Sequence, residues 1–193
     1  MADLNHTIKV KARCAYKNEK GQRCKHITVV THPYCEEHTR SELGFWVAQS
    51  TVPNAGLGLF TDRKYKRGDT VVEYGGEVIT TKQYNERYAD CGYGEYGMTL
   101  GTKKVIDARK TSSGLGRYVC DAYGSEHKKN VQYEDDKGKI NIIALRKIKP
   151  GSEILVSYGK EMRRAMGIQP EKSKKDKKKK KDKKDKKKDK SKK

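Results

Sequence analysis

The sequence predicts a β-rich domain with little helix, preceded by a small cysteine-containing module and followed by a lysine-rich tail. Two observations support this: short apolar segments alternate with turn residues through the middle of the chain, and the composition changes sharply at both ends. We expect the boundaries to lie at 1–44 for the module, 45–160 for the β-rich domain, 161–170 for a short helical linker and 171–193 for a disordered tail.

Segments rich in β-branched and aromatic residues mark the expected strands, which cover residues 45–50, 59–61, 70–79, 96–100, 104–106, 140–145 and 153–156. Turn residues such as those at 53–54 separate them. A short helix is expected over 81–89, with Thr80 or Thr81 as its N-cap, and a final helical turn or two over 160–166. The pattern is typical of an all-β or α+β domain.

Residues 114–133 fit neither pattern, because they show no clean helical period and no strict alternation. Irregular backbone rich in small residues allows a ligand to approach main-chain N–H and C=O groups. A long surface loop is the alternative interpretation of this stretch taken alone.

Together with its flanks, this stretch completes an ordered set of six motifs. They are AGLGLF at 55–60, EYGGEVI at 73–79, YGMTL at 96–100, VIDA at 105–108, RYVCD at 117–121 and GSEILVSYG at 151–159. The set resembles the SET domain of protein lysine methyltransferases, from about residue 45 to residue 159. The resemblance implies a SET β-clip with one segment threaded through a loop. It also implies transfer of methyl groups from S-adenosylmethionine to a protein lysine.

The resemblance assigns eight residues to the cofactor site: Gly56, Leu57, Gly58, Tyr96, Arg117, Tyr118, Cys120 and Asp121. In the family's RFxNH motif, Asn and His stand where this chain has Cys120 and Asp121. Loss of an Asn hydrogen bond is expected to weaken cofactor binding by about 1 kcal/mol. Asp121 could instead attract the cofactor's ammonium group.

Four further residues correspond to the substrate side of the family's site. Tyr158 matches the catalytic tyrosine, and Tyr74 matches a tyrosine of the lysine channel. Val156 stands where relatives carry a larger aromatic that limits methylation, so a smaller side chain predicts di- or trimethylation. Tyr133 could fill the same space and reverse that prediction.

The N-terminal module carries a candidate zinc site formed by Cys14, Cys24, Cys35 and His38, with the spacing C-x9-C-x10-C-x2-H. Three thiolates and one imidazole form a tetrahedral zinc set, and four protein ligands make the zinc structural. The module is similar to small Cys3His modules of chromatin-associated proteins. His26 or His32 could replace one ligand, and incidental buried thiols are the alternative.

Charge suggests polyanionic partners. The net charge is +20, and residues 171–193 contribute +11 of it through 16 Lys against one Glu and four Asp. Such a tail can bind nucleic acid or an acidic protein surface, although nuclear import and solubility are alternatives. The module adds further candidates for nucleic-acid contact, namely Lys9, Lys11, Arg13, Lys17, Lys20, Arg23 and Lys25.

The chain has no apolar run long enough to span a bilayer and no secretion signal at its start, so we expect a soluble intracellular protein without a membrane partner. The expected location is the nucleus, or a host nucleus or virion if the protein is viral. No cysteine or aromatic residue follows Tyr158. The lid of the site must therefore come from the N-terminal part or a second subunit of a homodimer, or be missing.

Three functions follow from these features. The leading hypothesis is a lysine methyltransferase acting on a histone tail within nucleosomes. The second is a catalytically weak or inactive SET-like protein that binds chromatin or nucleic acid. The third is a nucleic-acid-binding protein that uses only its zinc module and tail.

Overall fold

The computed structural model describes residues 7–168. The chain divides into two compact units, of which the first ends at Tyr158 and the second begins at Gly159. The strands of the first unit are β1 (Ala12–Arg13), β2 (Ile27–Thr28), β3 (Phe45–Gln49), β4 (Leu57–Thr61), β5 (Thr70–Glu73), β6 (Glu77–Thr80), β7 (Gly97–Leu100), β8 (Lys104–Asp107), β9 (Cys120–Asp121), β10 (Val131–Asp136), β11 (Lys139–Ala144), β12 (Ser152–Glu153) and β13 (Leu155–Val156).

The helices of the first unit are short. They are α1 (Glu36–His38), which continues as a π-helical turn over Thr39–Leu43, α2 (Thr81–Arg87), and 3₁₀ turns at Thr111–Ser113 and Leu115–Tyr118. In the second unit the described residues form α3 (Gly159–Ala165), close to the helix expected over 160–166. None of the helices in residues 7–168 has the length and hydropathy needed to cross a membrane.

Within residues 7–168 the strands pair into five small sheets. Four are antiparallel, with strand orders β1-β2, β12-β4-β3, β10-β11-β5 and β6-β8-β7, whereas β9 and β13 form a parallel pair. The result is the β-rich fold with few helices that the sequence predicts.

The larger of two hydrophobic clusters in residues 7–168 contains side chains from several of these sheets. Strand β11 contributes Ile140, Ile142 and Ala144, which alternate with more exposed residues because successive side chains of a strand point to opposite faces. Two side chains of the N-terminal module, Val30 and Leu43, pack against the same core. The module therefore rests on the β-rich domain.

The turn Leu115–Tyr118 is buried along its whole length and passes close to the end of β5. A Cβ atom on Gly116 would lie 2.5 Å from the carbonyl oxygen of Glu73 and 2.9 Å from Cα of Tyr74. Glycine at position 116 lacks this Cβ atom. It therefore allows the irregular stretch 114–133 to run directly beside the motif that carries Tyr74.

Two predicted strands are wrong as continuous elements. The strand expected over 70–79 is two strands, because β5 pairs with β11 whereas β6 pairs with β8. The strand expected over 153–156 also divides, since β12 pairs with β4 and β13 with β9. Strand β10 is missing from the sequence predictions because it ends in three acidic residues, which have low β propensity.

The N-cap of α2 is Thr80, one of the two predicted candidates. Its hydroxyl accepts a hydrogen bond from the backbone N–H of Gln83, whose side chain accepts one from the N–H of Thr80. The helix ends at Arg87, two residues earlier than expected. The tail predicted to be disordered, 171–193, lies outside the described residues.

Candidate active site and metal centre

Three tyrosines predicted for the substrate side lie together. The rings of Tyr74 and Tyr133 meet edge to face, with centroids 5.7 Å apart. Burial raises the pKa of Tyr133 well above its ordinary value, and the nearby Tyr158 and Tyr74 raise it further. The three phenols therefore stay protonated at neutral pH.

The hydroxyl of Tyr158 has a fixed direction. It donates a hydrogen bond of 2.9 Å to the carbonyl oxygen of Val119. Burial raises the pKa of Tyr158 well above its ordinary value, with smaller contributions from Cys120 and Tyr74. The group is thus an oriented hydroxyl rather than a phenolate base. The sequence analysis predicted no role for Val119, whose carbonyl oxygen orients this hydroxyl.

Tyr96 connects this tyrosine cluster to Arg117. Its carbonyl oxygen accepts a 3.0 Å hydrogen bond from the hydroxyl of Tyr74. The guanidinium carbon of Arg117 lies 4.0 Å from the centre of the Tyr96 ring and 4.9 Å from that of Tyr118, which is a cation–π geometry. Two predicted cofactor residues are therefore in contact with each other and, through Tyr96, with the predicted channel.

Arg117 is a buried cation, with only 6% of its surface exposed. Its Nε donates to the carbonyl oxygen of Ala108 at 2.8 Å, and its Nη2 donates to Thr7 Oγ1 at 3.1 Å. No carboxylate in residues 7–168 lies within ion-pair distance of it. A buried charge without a counter-ion is costly, so this position favours an anionic ligand group.

The glycine loop contacts the substituted motif directly. The Cys120 thiol donates to the carbonyl oxygen of Leu57 at 3.3 Å, and burial raises the pKa of that thiol to about 11. Gly56 has open space around its Cα and a φ of +73°, whereas a side chain on Gly58 would overlap the carboxylate of Glu153. The contact with Glu153 therefore explains why position 58 is a glycine, whether or not a ligand binds there.

Glu153 is a buried carboxylate that the sequence did not single out. It accepts hydrogen bonds from the Ser50 hydroxyl at 2.5 Å, from the Thr51 N–H at 2.9 Å and from the Thr51 hydroxyl. These bonds hold the chain that leads into the glycine loop. No sequence signal could reveal this, because about one hundred residues separate the partners.

Asn130 is a second residue that the sequence analysis left without a role. Its side-chain amide donates to the carbonyl oxygen of Glu153 at 2.7 Å and accepts from the N–H of Leu155 at 2.8 Å. It therefore fixes the start of β13, in which Val156 is fully buried and paired with Asp121. In the sequence, only the position of Asn130 near the end of the irregular stretch 114–133 indicated that it could have a role.

The four predicted metal ligands converge. The sulfur atoms of Cys14, Cys24 and Cys35 and a ring nitrogen of His38 all lie within 4.8 Å of one another. The Cys35 and Cys14 sulfurs are 3.1 and 3.7 Å from His38 Nδ1. A tetrahedral site with Zn–S of about 2.3 Å and Zn–N of about 2.0 Å requires S–N separations of about 3.5 Å, so the cluster fits zinc.

The two alternative histidine ligands are engaged elsewhere. His32 Nε2 lies 2.8 Å from the carbonyl oxygen of Val10, and His26 faces Glu37 at 4.0 Å. Neither belongs to the ligand cluster found in the described residues. The ring of Tyr16 stacks on that of His38 at 3.7 Å between centroids, which fixes the orientation of the imidazole.

Two arginines predicted for nucleic-acid contact also donate hydrogen bonds to backbone carbonyl groups around this cluster. Arg13 donates to the carbonyl oxygens of Cys24 and Arg23, and Arg23 donates to those of Cys14 and Arg13. Each guanidinium thus ties together backbone on either side of the ligand cysteines. The five lysines of the predicted set remain exposed.

Comparison with known proteins decides the family. Residues 56–159, more than half of the chain, match the SET domain family. This chain belongs to the SET domain family. Its lysine methyltransferase relatives include N-lysine methyltransferase KMT5A-A of Xenopus laevis, 25% identical over 126 residues. Another is the histone-lysine N-methyltransferase trr of Drosophila melanogaster, 33% identical over 106 residues.

Solved structures agree with this assignment. The SET chain resembles Polycomb Repressive Complex 2 of Chaetomium thermophilum bound to GSK126, with 26% identity, a TM-score of 0.52, and coverage of 60% of this chain and 16% of that one. The same complex in an autoinhibited conformation bound to S-adenosylmethionine gives a TM-score of 0.51, with 26% identity and coverage of 60% of this chain and 15% of that one.

The relatives are longer proteins. The match to the Xenopus protein covers 62% of this chain and 38% of that protein. The match to the Drosophila protein covers 53% of this chain and 4% of that protein. The shared part is thus the domain that contains the tyrosine cluster and Arg117. The N-terminal Cys3His cluster lies outside residues 56–159.

Proposed function

We propose that this chain transfers methyl groups from S-adenosylmethionine to a lysine side chain of a histone. The observation that carries the proposal is the convergence of Tyr74, Tyr133 and Tyr158 beside the segment that holds Cys120, which itself contacts the glycine loop. The proposed substrate channel and the proposed cofactor loop would thereby be adjacent, which is the arrangement that methyl transfer requires. The proposal includes the threaded segment implied by the family resemblance.

The residues present fit S-adenosylmethionine. Arg117 is a buried cation that a carboxylate would neutralise, and the buried hydroxyl of Tyr118 has no hydrogen-bond acceptor or donor of standard geometry among residues 7–168. Asp121 would suit the cofactor's ammonium group. We infer that these three residues, with Tyr96, Cys120 and the loop Gly56, Leu57 and Gly58, hold the cofactor. When bound, it supplies an electrophilic methyl group on a sulfonium.

The chain's own residues then have defined tasks. The hydroxyl of Tyr158, fixed by its bond to the Val119 carbonyl, orients the attacking amine and excludes water. The tyrosines stay protonated, so none of them accepts the lysine proton as an anion. The ammonium proton must therefore pass to solvent before transfer, and burial in the channel favours the neutral amine.

Charge on β10 supports a basic peptide as substrate. The strand carries Tyr133 in the tyrosine cluster, and its last three residues, Glu134, Asp135 and Asp136, are exposed carboxylates. These carboxylates can attract the lysine and arginine side chains of a histone tail although the whole chain is basic. This substrate class matches the name of the Drosophila relative, a histone-lysine N-methyltransferase.

Methyl transfer from labelled S-adenosylmethionine to recombinant nucleosomes and to free histones tests the proposal. We expect label on one histone with the unmodified chain, and a loss on the order of 10²-fold with Tyr158→Phe, because an oriented hydroxyl is removed from the reacting centre. Tyr34→Phe is the matched control, since Tyr34 is a half-buried tyrosine of the N-terminal module. It should retain full activity.

The other outcomes identify the alternatives. Absence of label together with absence of cofactor binding by calorimetry would support the inactive chromatin-binding hypothesis. Absence of label with the cofactor bound would exclude histones as substrate. DNA binding that survives deletion of residues 45–160 would support the third hypothesis.

The number of methyl groups depends on the space beside Val156, which is fully buried in β13. We propose di- or trimethylation, because valine leaves more room than the aromatic residue of many relatives. Mass spectrometry of the product should then show only lower methylation for Val156→Tyr. Unchanged higher methylation in that variant would refute this role for Val156, whereas monomethylation alone by the unmodified chain would assign the limiting role to Tyr133.

The metal centre is proposed to bind one structural zinc ion through Cys14, Cys24, Cys35 and His38. Within residues 7–44 of the module, the buried apolar side chains are those of two of these same cysteines, Cys14 and Cys35. Metal binding must therefore supply much of the folding free energy of this part. Contact with nucleic acid through its exposed lysines, nuclear location and a homodimer remain predictions.

A further inference from the structure

A short N-terminal segment lies beside the proposed cofactor site. This N-terminal strap, residues 7–10, runs along residues 109–111: the N–H of Ile8 donates to the carbonyl oxygen of Arg109 at 2.8 Å, and the N–H of Thr111 donates to that of Ile8 at 2.9 Å. The N–H of Val10 donates to the Thr111 hydroxyl at 2.9 Å. The strap lies outside the residues matched by the SET family, 56–159.

The first residue of the strap joins two side chains of the proposed site. The Thr7 hydroxyl donates to the phenol oxygen of Tyr96 at 3.1 Å and accepts from Arg117 Nη2 at 3.1 Å. Thr7 thereby bridges Nη2 of Arg117 and the phenol oxygen of Tyr96, the two partners of the cation–π pair.

Arg117 has few hydrogen-bond acceptors among residues 7–168. Besides Thr7, its acceptor there is the carbonyl oxygen of Ala108, which is bound by Nε and not by Nη2. The orientation of Nη2 therefore depends on the Thr7 hydroxyl. The phenol end of Tyr96 depends on the same hydroxyl, whereas its backbone is held by Tyr74. A hydrogen bond to a charged group is stronger than a neutral one, so this contact can set the geometry of the pair.

The far end of the strap is also anchored. The carbonyl oxygen of Val10 lies 2.8 Å from Nε2 of the buried His32, three residues before the metal-cluster residue Cys35. The strap is thus held between the metal-binding module and residues 109–111 and cannot shift without breaking these bonds.

We propose that Thr7 is a positioning residue of the S-adenosylmethionine site and that the N-terminal strap forms the outer wall of that site. The inference rests on the proposed function. Thr7 acts through Arg117 and Tyr96, whose arrangement it fixes before the cofactor binds. Preorganisation of this kind lowers the ordering cost of binding and so raises affinity.

Calorimetric titration with S-adenosylmethionine tests the inference on the full chain. Thr7→Val removes the hydroxyl at nearly constant volume, and we expect the Kd to rise about tenfold, as for the loss of one hydrogen bond to a charged group. Thr7→Ser keeps the hydroxyl and should bind within about twofold of the unmodified chain. Thr99→Val, at an exposed position of strand β7, is the matched control and should leave the Kd unchanged.

A second measurement uses the cofactor-free protein. The guanidinium Nε–H of Arg117 is hydrogen-bonded and buried, so its ¹H–¹⁵N signal should be observable. We expect this signal to shift in Thr7→Val and to stay in place in Thr7→Ser and Thr99→Val. A merely structural role for Thr7 would not produce this selective shift.

Two results would overturn the inference. An unchanged Kd in Thr7→Val would show that the hydroxyl does not position the site, and equal weakening in Thr7→Ser would show that the hydroxyl is not what matters. If the unmodified chain does not bind S-adenosylmethionine, the proposed function itself fails, and the inference fails with it.

Discussion

Asn130→Ala should destabilise the folded chain strongly, although Asn130 is one polar residue at the end of an irregular segment. Its side chain makes two hydrogen bonds of 2.7 and 2.8 Å, to the carbonyl oxygen of Glu153 and from the N–H of Leu155. Only 8% of Asn130 is exposed, so water cannot replace the lost amide without rearrangement. Both backbone groups would remain buried and unpaired.

The magnitude follows from these two groups. An unpaired buried donor or acceptor costs about 1–3 kcal/mol, so the loss from the two groups should be about 2–6 kcal/mol. A domain of this kind is stable by only about 5–15 kcal/mol, so the loss is a large part of the total. Because the bonds fix the start of β13, the strand before Tyr158, we expect activity to fall as well.

Urea unfolding followed by circular dichroism measures this loss. With a slope of about 2 kcal/mol per molar urea, the midpoint should fall by roughly 1–3 M. Asn141→Ala is the matched control, because Asn141 is half-buried in β11 and its side chain makes no hydrogen bond within residues 7–168. It should change stability by less than about 0.5 kcal/mol.

Asn130→Asp tests the donor separately. The carboxylate can still accept from the N–H of Leu155 but brings a negative charge to the carbonyl oxygen of Glu153. At pH 7 this variant should be no more stable than Asn130→Ala. If Asn130→Ala is as stable as Asn141→Ala, the assignment of Asn130 as the residue that fixes β13 is wrong.

Three further predictions concern the loop, the thiol and the metal. Gly58→Ala should be at least about 1 kcal/mol less stable than Gly56→Ala in thermal unfolding, because its Cβ would overlap a buried carboxylate, whereas Gly56 has open space and only an unfavourable φ. Equal losses would contradict this. Burial raises the pKa of the Cys120 thiol from 9.0 to about 11, so the unfolded chain loses this proton first as pH rises. Stability should therefore fall between about pH 9 and pH 11, by about 2–3 kcal/mol more in the unmodified chain than in Cys120→Ala. Parallel pH curves for the two proteins would refute it. Metal analysis should find one zinc per chain, less in Cys24→Ser and an unchanged amount in Cys91→Ser, since Cys91 lies outside the ligand cluster. Full zinc content in Cys24→Ser would exclude this ligand set.

Much of the metal centre was accessible from the sequence. Cys35 and His38 are separated by two residues, and a chelate of that length brings its ligands together whatever the remaining fold is. The same is true of the Thr80 cap, whose partner is three residues away. Local spacing suffices where the interacting atoms belong to one turn of chain.

The sequence predicted some members of the candidate active site but not their contacts. The order of the motifs named Tyr74, Tyr158 and Arg117, and the structure places them around one segment. It did not indicate that Tyr158 donates to Val119, nor that Cys120 contacts the carbonyl oxygen of Leu57. Those bonds join residues 39 and 63 positions apart, and no periodicity reports such distances.

The sequence by itself determined the β-rich class, the family and the four members of the Cys3His cluster, because burial alternation, ordered motifs and short chelate spacings are local properties of the chain. Only the tertiary structure decided where the strands divide, because each strand ends where its pairing partner changes. It also decided which polar side chains, such as those of Asn130 and Thr7, form hydrogen bonds to residues distant in the sequence. Those pairings depend on the path of the backbone, which brings together residues as far apart as 7 and 117.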